Sequence, residues 1–201
     1  MLALRITALV AATMATGLVA GVFYAYAMSV MPALARTEDR TLIEVMQKVN
    51  VVIVNPWFMT GFLGAVLFGI AAAVLHLGAE QRATLVWIGI GLALNVIAFA
   101  VTVALNVPLN DQLAAAGDVS GIADQAAVRA DYESAWVRWN IVRAVLHTLA
   151  FLVLCGALFA AGVQHGRGEA TGQAARIGSA SAPADGYART GASHVGFAGQ
   201  G

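Results

Sequence analysis

Four long stretches of this chain run almost free of charge, roughly residues 6–35, 57–77, 84–106 and 141–163. A bilayer core of about 30 Å takes about 20 apolar residues to cross as helix, whereas a run of about 10–14 would fit a buried core helix. The repeated reach of the longer figure points to a membrane. Composition agrees, since 60% of the 201 residues are hydrophobic and only 11% are charged, against about 25% charge in a soluble domain. The sequence therefore predicts an all-α fold, a bundle of four transmembrane helices.

The first stretch has Arg5, an apolar run and an Ala25-Tyr26-Ala27 that mimics a cleavage site. A signal h-region is about 7–15 residues, and this run is roughly twice that, so it reads as a retained helix. Met14, Gly17, Gly21, Tyr24, Met28 and Met31 fall on one helical stripe, read as a packing face in which Gly17 and Gly21 let another helix approach. Pro32 is expected to kink the last turn.

Between the first two spans, Thr37 is expected to cap a short amphipathic helix. Its Leu42, Ile43, Met46 and Val49 oppose Arg40, Glu44, Gln47 and Lys48, and Asn50 ends it. Such a helix lies at the interface or over the bundle mouth. Asn55-Pro56 should open the second span, and Trp57 would sit at interfacial depth. The short 76–82 connector makes spans two and three an antiparallel hairpin. After Asn106, Pro108-Leu109-Asn110-Asp111 reads as a turn, with Asn110 capping a short helix over 111–116. Ser120 is expected to cap a long helix that begins outside the membrane and continues as span four. Residues 1–165 thus form the membrane domain. Residues 166–201, rich in Gly, Ala, Ser and Thr and holding His165, Tyr187 and His194, are expected to be a disordered tail.

Four spans put both termini on one side. Arg5, Arg82 and Arg167 there face Arg36, Arg40, Lys48, Arg129, Arg138 and Arg143 on the other, and the long loops also carry many acids. The start Met-Leu-Ala-Leu-Arg favours a cytoplasmic N-terminus. Net charge is +0, so nothing attracts nucleic acid. Gly-rich faces leave room for self-association. The lone Cys155 sits in an apolar run and reads as buried filler.

Polar residues concentrate at one end. Glu133, Trp136, Asn140, Arg143 and His147 are spaced 3, 4, 3 and 4, which places them on one helix face. Asn95, Thr102 and Asn106 share a face of span three, and Asn50 and Asn55 flank the start of span two. Arg or Asp at a bilayer centre costs roughly 2.5–3.5 kcal/mol on insertion scales, so such groups turn inward, and intramembrane ionisable groups are functional hypotheses by default. Each has a structural alternative: Arg143 snorkelling, Asn95 and His147 as interhelical glue, Asn55 as a cap, Trp136 and Trp139 as belt residues. The chain has no HExxH, P-loop, GxGxxG after a strand, or CxxCH, and its histidines are scattered. No metal and no cofactor are expected, so redox chemistry would draw electrons from the substrate itself.

The runs Gly21-Val22-Phe23-Tyr24-Ala25-Tyr26, Val30-Met31-Pro32-Ala33-Leu34, Met46-Gln47-Lys48-Val49-Asn50, Asn55-Pro56-Trp57-Phe58, Asn106-Val107-Pro108-Leu109-Asn110-Asp111 and Trp136-Val137-Arg138-Trp139-Asn140, with Arg143, occur in order. Over about residues 5–163 the chain resembles the anthrone-oxygenase-like membrane family. The resemblance implies a small four-helix membrane protein. It also implies, for some members, oxidation of anthrones to anthraquinones without metal or flavin. On that reading a flat hydrophobic aromatic substrate enters from the lipid bilayer. Asn106, Asn110 and Asn140 hold a developing oxyanion, Arg143 stabilises its charge, and Asp111 or His147 serves as base. Tyr24, Asn50, Asn55, Trp57, Trp136 and Trp139 would complete the substrate site, with Tyr24 and Trp136 stacking on the ring. The alternative is a non-enzymatic binding or scaffold protein for a lipid, quinone or partner helix.

Overall fold

A computed structural model describes residues 1–180, and Tyr187 and His194 lie outside them. The described residues form helices α1 (Leu2–Leu34), α2 (Asp39–Val52), α3 (Pro56–Leu75), α4 (Ala79–Ala115) and α5 (Gln125–Ala180), with no strand among them. Helices α1, α3, α4 and α5 are each long and apolar enough to cross a membrane. The protein is a multi-pass, all-α membrane bundle. Leu67, Ile97, Leu152 and Phe159 are among its large apolar side chains turned outward, as a lipid solvent allows.

The chain divides into two compact units, residues 1–162 and 163–201. In the second, residues 163–180 are helical, with His165 paired to Glu169 one turn on. This corrects the expectation of disorder from 166. Gln, Arg, Glu and Ala are good helix formers, and between Arg167 and Ile177 they outweigh the two glycines. The expected tail beyond 180 lies outside the described residues.

Close approach at glycines sets the order of the bundle. A Cβ on Gly61 would stand 3.3 Å from Val19, so α3 meets α1 there. One on Gly69 would stand 3.1 Å from Leu92, joining α3 to α4. Gly91 lies against Leu154 and Gly17 against Phe151, which seats α5 beside both α4 and α1. Gly21 meets nothing within 4 Å, and Met14, Tyr24 and Met28 are exposed. The expected packing stripe on α1 is therefore mostly an outer face. Gly91→Ala would place a methyl 2.9 Å from the Cγ and Cδ2 of a fully buried leucine. We expect it to cost about 1–3 kcal/mol of detergent-phase stability. Gly89→Ala, with open space around it, should gain about 0.4–1 kcal/mol. Thermal melts of the two variants check this, and equal shifts would remove the packing argument.

Two π turns, Tyr26–Val30 in α1 and Thr102–Asn106 in α4, share one origin. In each, the N–H just before a proline reaches back five residues: Met31 to the Tyr26 carbonyl before Pro32, and Val107 to the Thr102 carbonyl before Pro108. A proline inside a helix removes a donor and crowds the carbonyl four residues back. Widening the preceding turn relieves the crowding without ending the helix. The stretch from Pro108 to Asp111 is consequently helix and not the expected turn, and Asn110 is no cap.

Two other expected caps also fall elsewhere. Glu38, not Thr37, occupies the N-cap of α2. The long helix starts at Gln125, with Asp124 accepting from the Ala127 amide, while Ser120 sits in a short 3₁₀ turn. Asn55 caps α3 as expected, accepting from the Phe58 amide at 3.1 Å.

Helix α2 closes one end of the bundle. Its Leu42, Ile43 and Met46 are fully buried against Met31, Leu34, Leu113, Tyr132 and Trp136. Arg129 fastens this cap. It reaches Asp39 at 2.9 Å, Glu133 at 2.6 Å, and the carbonyls of Ala35 and Thr37 at 3.1 and 2.8 Å.

Candidate functional site

Beneath the α2 cap lies a cavity of about 250 Å³ lined by residues of all five helices. Both π turns border it, through Tyr26 and Thr102. Phe23, Phe58, Phe62, Tyr26 and Trp136 give it aromatic walls, and Asn50, Asn110, Asn140 and Arg143 are its amides and its cation. Val54 and Val107 belong to the lining and are 68% and 40% exposed, so the mouth opens on the apolar flank of the bundle.

The face predicted on span four holds. Trp136, Asn140, Arg143 and His147 are all buried along α5. Arg143 is only 4% exposed, which excludes snorkelling. Its guanidinium lies 4.2 Å from the Phe23 ring centre and 5.5 Å from that of Trp136. A guanidinium has five N–H donors. One of them, on Nη2, reaches Asn140 Oδ1 at 3.1 Å, and Nε–H has no partner. The ion pairs of the described residues use Lys48, Arg129 and His165, and none includes Arg143. Cation–π contacts offset about 0.5–2 kcal/mol each, against several kcal/mol for desolvating an ion. They stabilise the cation without neutralising it.

Hydrogen bonds fix how the amides point. Asn140 Nδ2 donates to the Phe23 carbonyl at 3.0 Å while its oxygen receives Arg143. Asn140 therefore holds Arg143 in place and ties α5 to α1. Asn110 Oδ1 receives Trp136 Nε1–H at 2.8 Å and the Tyr132 hydroxyl at 3.3 Å. With its oxygen so occupied, Asn110 turns its Nδ2 donors away from both partners. Asn106 is buried but is not part of the lining. Its Nδ2 donates to the Trp136 carbonyl at 3.3 Å, and its Oδ1 has no partner.

His147 stacks on Phe23 at 5.4 Å, on the other side of that ring's contact with Arg143, and it too is absent from the lining. Asn95 Nδ2 donates to Thr16 Oγ1 at 2.9 Å, and that hydroxyl donates to the Ala12 carbonyl. Asn95 Oδ1 thus faces His147 Nδ1 at 2.9 Å, and Nδ1 must carry the ring proton. Nε2 is left as a buried lone pair without a partner.

The remaining predicted positions are not brought together. Asp111 is exposed on α4. Tyr24 is 56% and Trp57 90% exposed. Trp139 lies under Arg138 at 5.1 Å, and Asn55 is spent on its cap. Sequence reasoning missed the walls Phe23, Tyr26, Phe58 and Phe62. Phe58 and Phe62 stand four apart, a spacing that signals a shared face.

Residues 57–153 match the family described as anthrone oxygenase. The chain is anthrone-oxygenase-like. No curated protein and no solved structure matches it. The matched segment holds Asn110, Trp136, Asn140 and Arg143 of the chamber, while Phe23 and Tyr26 of this anthrone-oxygenase-like protein fall before it.

Proposed function

We propose that this protein is a membrane oxygenase acting with O₂ on anthrone-like or activated phenolic substrates that reach the chamber from the bilayer. The observation that carries the reading is an unneutralised Arg143 inside an aromatic chamber, in a chain of the anthrone oxygenase family. The activated CH₂ of such a substrate loses a proton, and the enolate passes one electron to O₂. The radical pair joins in a C–O bond, giving a hydroperoxide anion. Loss of the second C–H proton with O–O cleavage leaves C=O and water. All four electrons come from the substrate carbon, so no further reductant is needed. Arg143 favours the enolate and the peroxide anion over their neutral precursors. Phe23 and Trp136 hold the ring against it.

The multi-pass arrangement is read with both termini cytoplasmic. Purified protein in detergent, given anthrone in air, should consume O₂ and form quinone faster than protein-free micelles. No acceleration across several anthrones would remove the reading for that substrate class.

A scaffold reading draws on the amides. Asn140 and Asn106 both bond to carbonyls of neighbouring helices, as residues that merely knit a bundle would.

A further inference from the structure

We propose that the chamber takes its ligand as an anion, a planar aromatic oxyanion whose charge pairs with Arg143. Three observations on different residues support this. Arg143 is a buried cation with an unspent Nε–H and no carboxylate partner among the described residues. The cavity beside it has aromatic walls on α1, α3 and α5, which suit a flat ring better than a flexible chain. Its lining contains neither carboxylate nor imidazole. The chamber thus has a place for a negative charge but no group to create one by taking a proton. Substrate ionises at the mouth, water carries the proton away, and the chamber selects the conjugate base. Asn140 aims the guanidinium by holding Nη2.

This specifies the ligand form for the oxygenase reading. It rests on that reading only in treating the bound anion as a substrate, and binding can be measured without turnover. Anthracene-2-carboxylate and the neutral anthracene-2-methanol are suitable fluorescent probes, read by energy transfer from tryptophan in detergent, with protein-free micelles as the blank. The carboxylate should bind at least tenfold tighter. Arg143→Met should abolish that preference. Asn140→Asp, which places an internal counter-ion beside an intact Arg143, should weaken carboxylate binding at least tenfold and leave the alcohol unchanged. Equal affinity for the two probes in the unaltered protein overturns the inference whatever the variants do. Dodecanoate competing as well as the anthracene carboxylate overturns its aromatic part. A carboxylate preference without anthrone turnover supports the anion chamber and removes the oxygenase. Turnover without the preference does the reverse.

Discussion

Arg143→Met should lose about 10²–10³-fold in anthrone turnover without losing heat resistance in detergent. The activity loss follows from removing the cation that faces a developing oxyanion in a water-poor site, where one such donor is worth about 10²–10³ in rate. The stability expectation has two opposing parts. Deleting the side chain leaves Asn140 Oδ1 without its donor, at about 1–3 kcal/mol. It also relieves the burial of an unpaired charge, a penalty of several kcal/mol per ion, and methionine refills the space against Phe23 and Trp136. The second effect is at least as large as the first, so the melting temperature should stay level or rise. Turnover assays and thermal melts on the same preparation decide it. If the variant unfolds before it loses activity, Arg143 is a knot between helices, and the scaffold reading gains what the oxygenase reading loses.

The bundle was legible because its cause is legible. Length and apolarity of the four runs follow directly from bilayer thickness. The Glu133-to-His147 face was also readable, because charges and amides in hydrocarbon can turn only inward, and α5 is regular through that stretch. What failed was phase and partnership. The α1 stripe was drawn at a uniform 3.6 residues per turn, but the π turn at Tyr26–Val30 inserts a residue and rotates everything after it. Met31 is therefore buried while Met28, on the same nominal stripe, faces out. Prolines 32 and 108 were read as a kink and a turn. The sequence does not say whether a helix breaks before a proline or widens to keep going. The aromatic walls were hidden for a different reason. In a membrane helix both faces are apolar, so Phe58 and Phe62 differ from the outward Phe68 only by where the neighbouring helices stand. Asn95 was read as interhelical glue, yet nothing in the sequence shows that Thr16 sets the direction of its amide.

That direction gives the second large effect. Asn95→Leu should destabilise the protein by about 1–3 kcal/mol. It strands the Nδ1–H of His147, which is 1% exposed and has no other acceptor. His147→Phe should cost a similar amount by stranding Asn95 Oδ1. The double variant should cost less than the sum by about 1 kcal/mol, because neither polar atom then remains to be satisfied. A coupling of that size is within the range of about 0.6–1.7 kcal/mol measured for hydrogen bonds between membrane helices. Thr16 keeps its own bond to the Ala12 carbonyl throughout, so it adds no third loss. Unfolding of the four proteins in mixed micelles gives the cycle, and strict additivity would mean that the Asn95–His147 contact carries no energy. His147→Phe also tests the chemistry. The imidazole lies behind Phe23 and outside the chamber lining. If the substrate arrives already ionised, this variant keeps turnover within tenfold while it is folded. A folded His147→Phe protein that is inactive would make the bare Nε2 the proton acceptor, and the anion would then have to be made inside the protein.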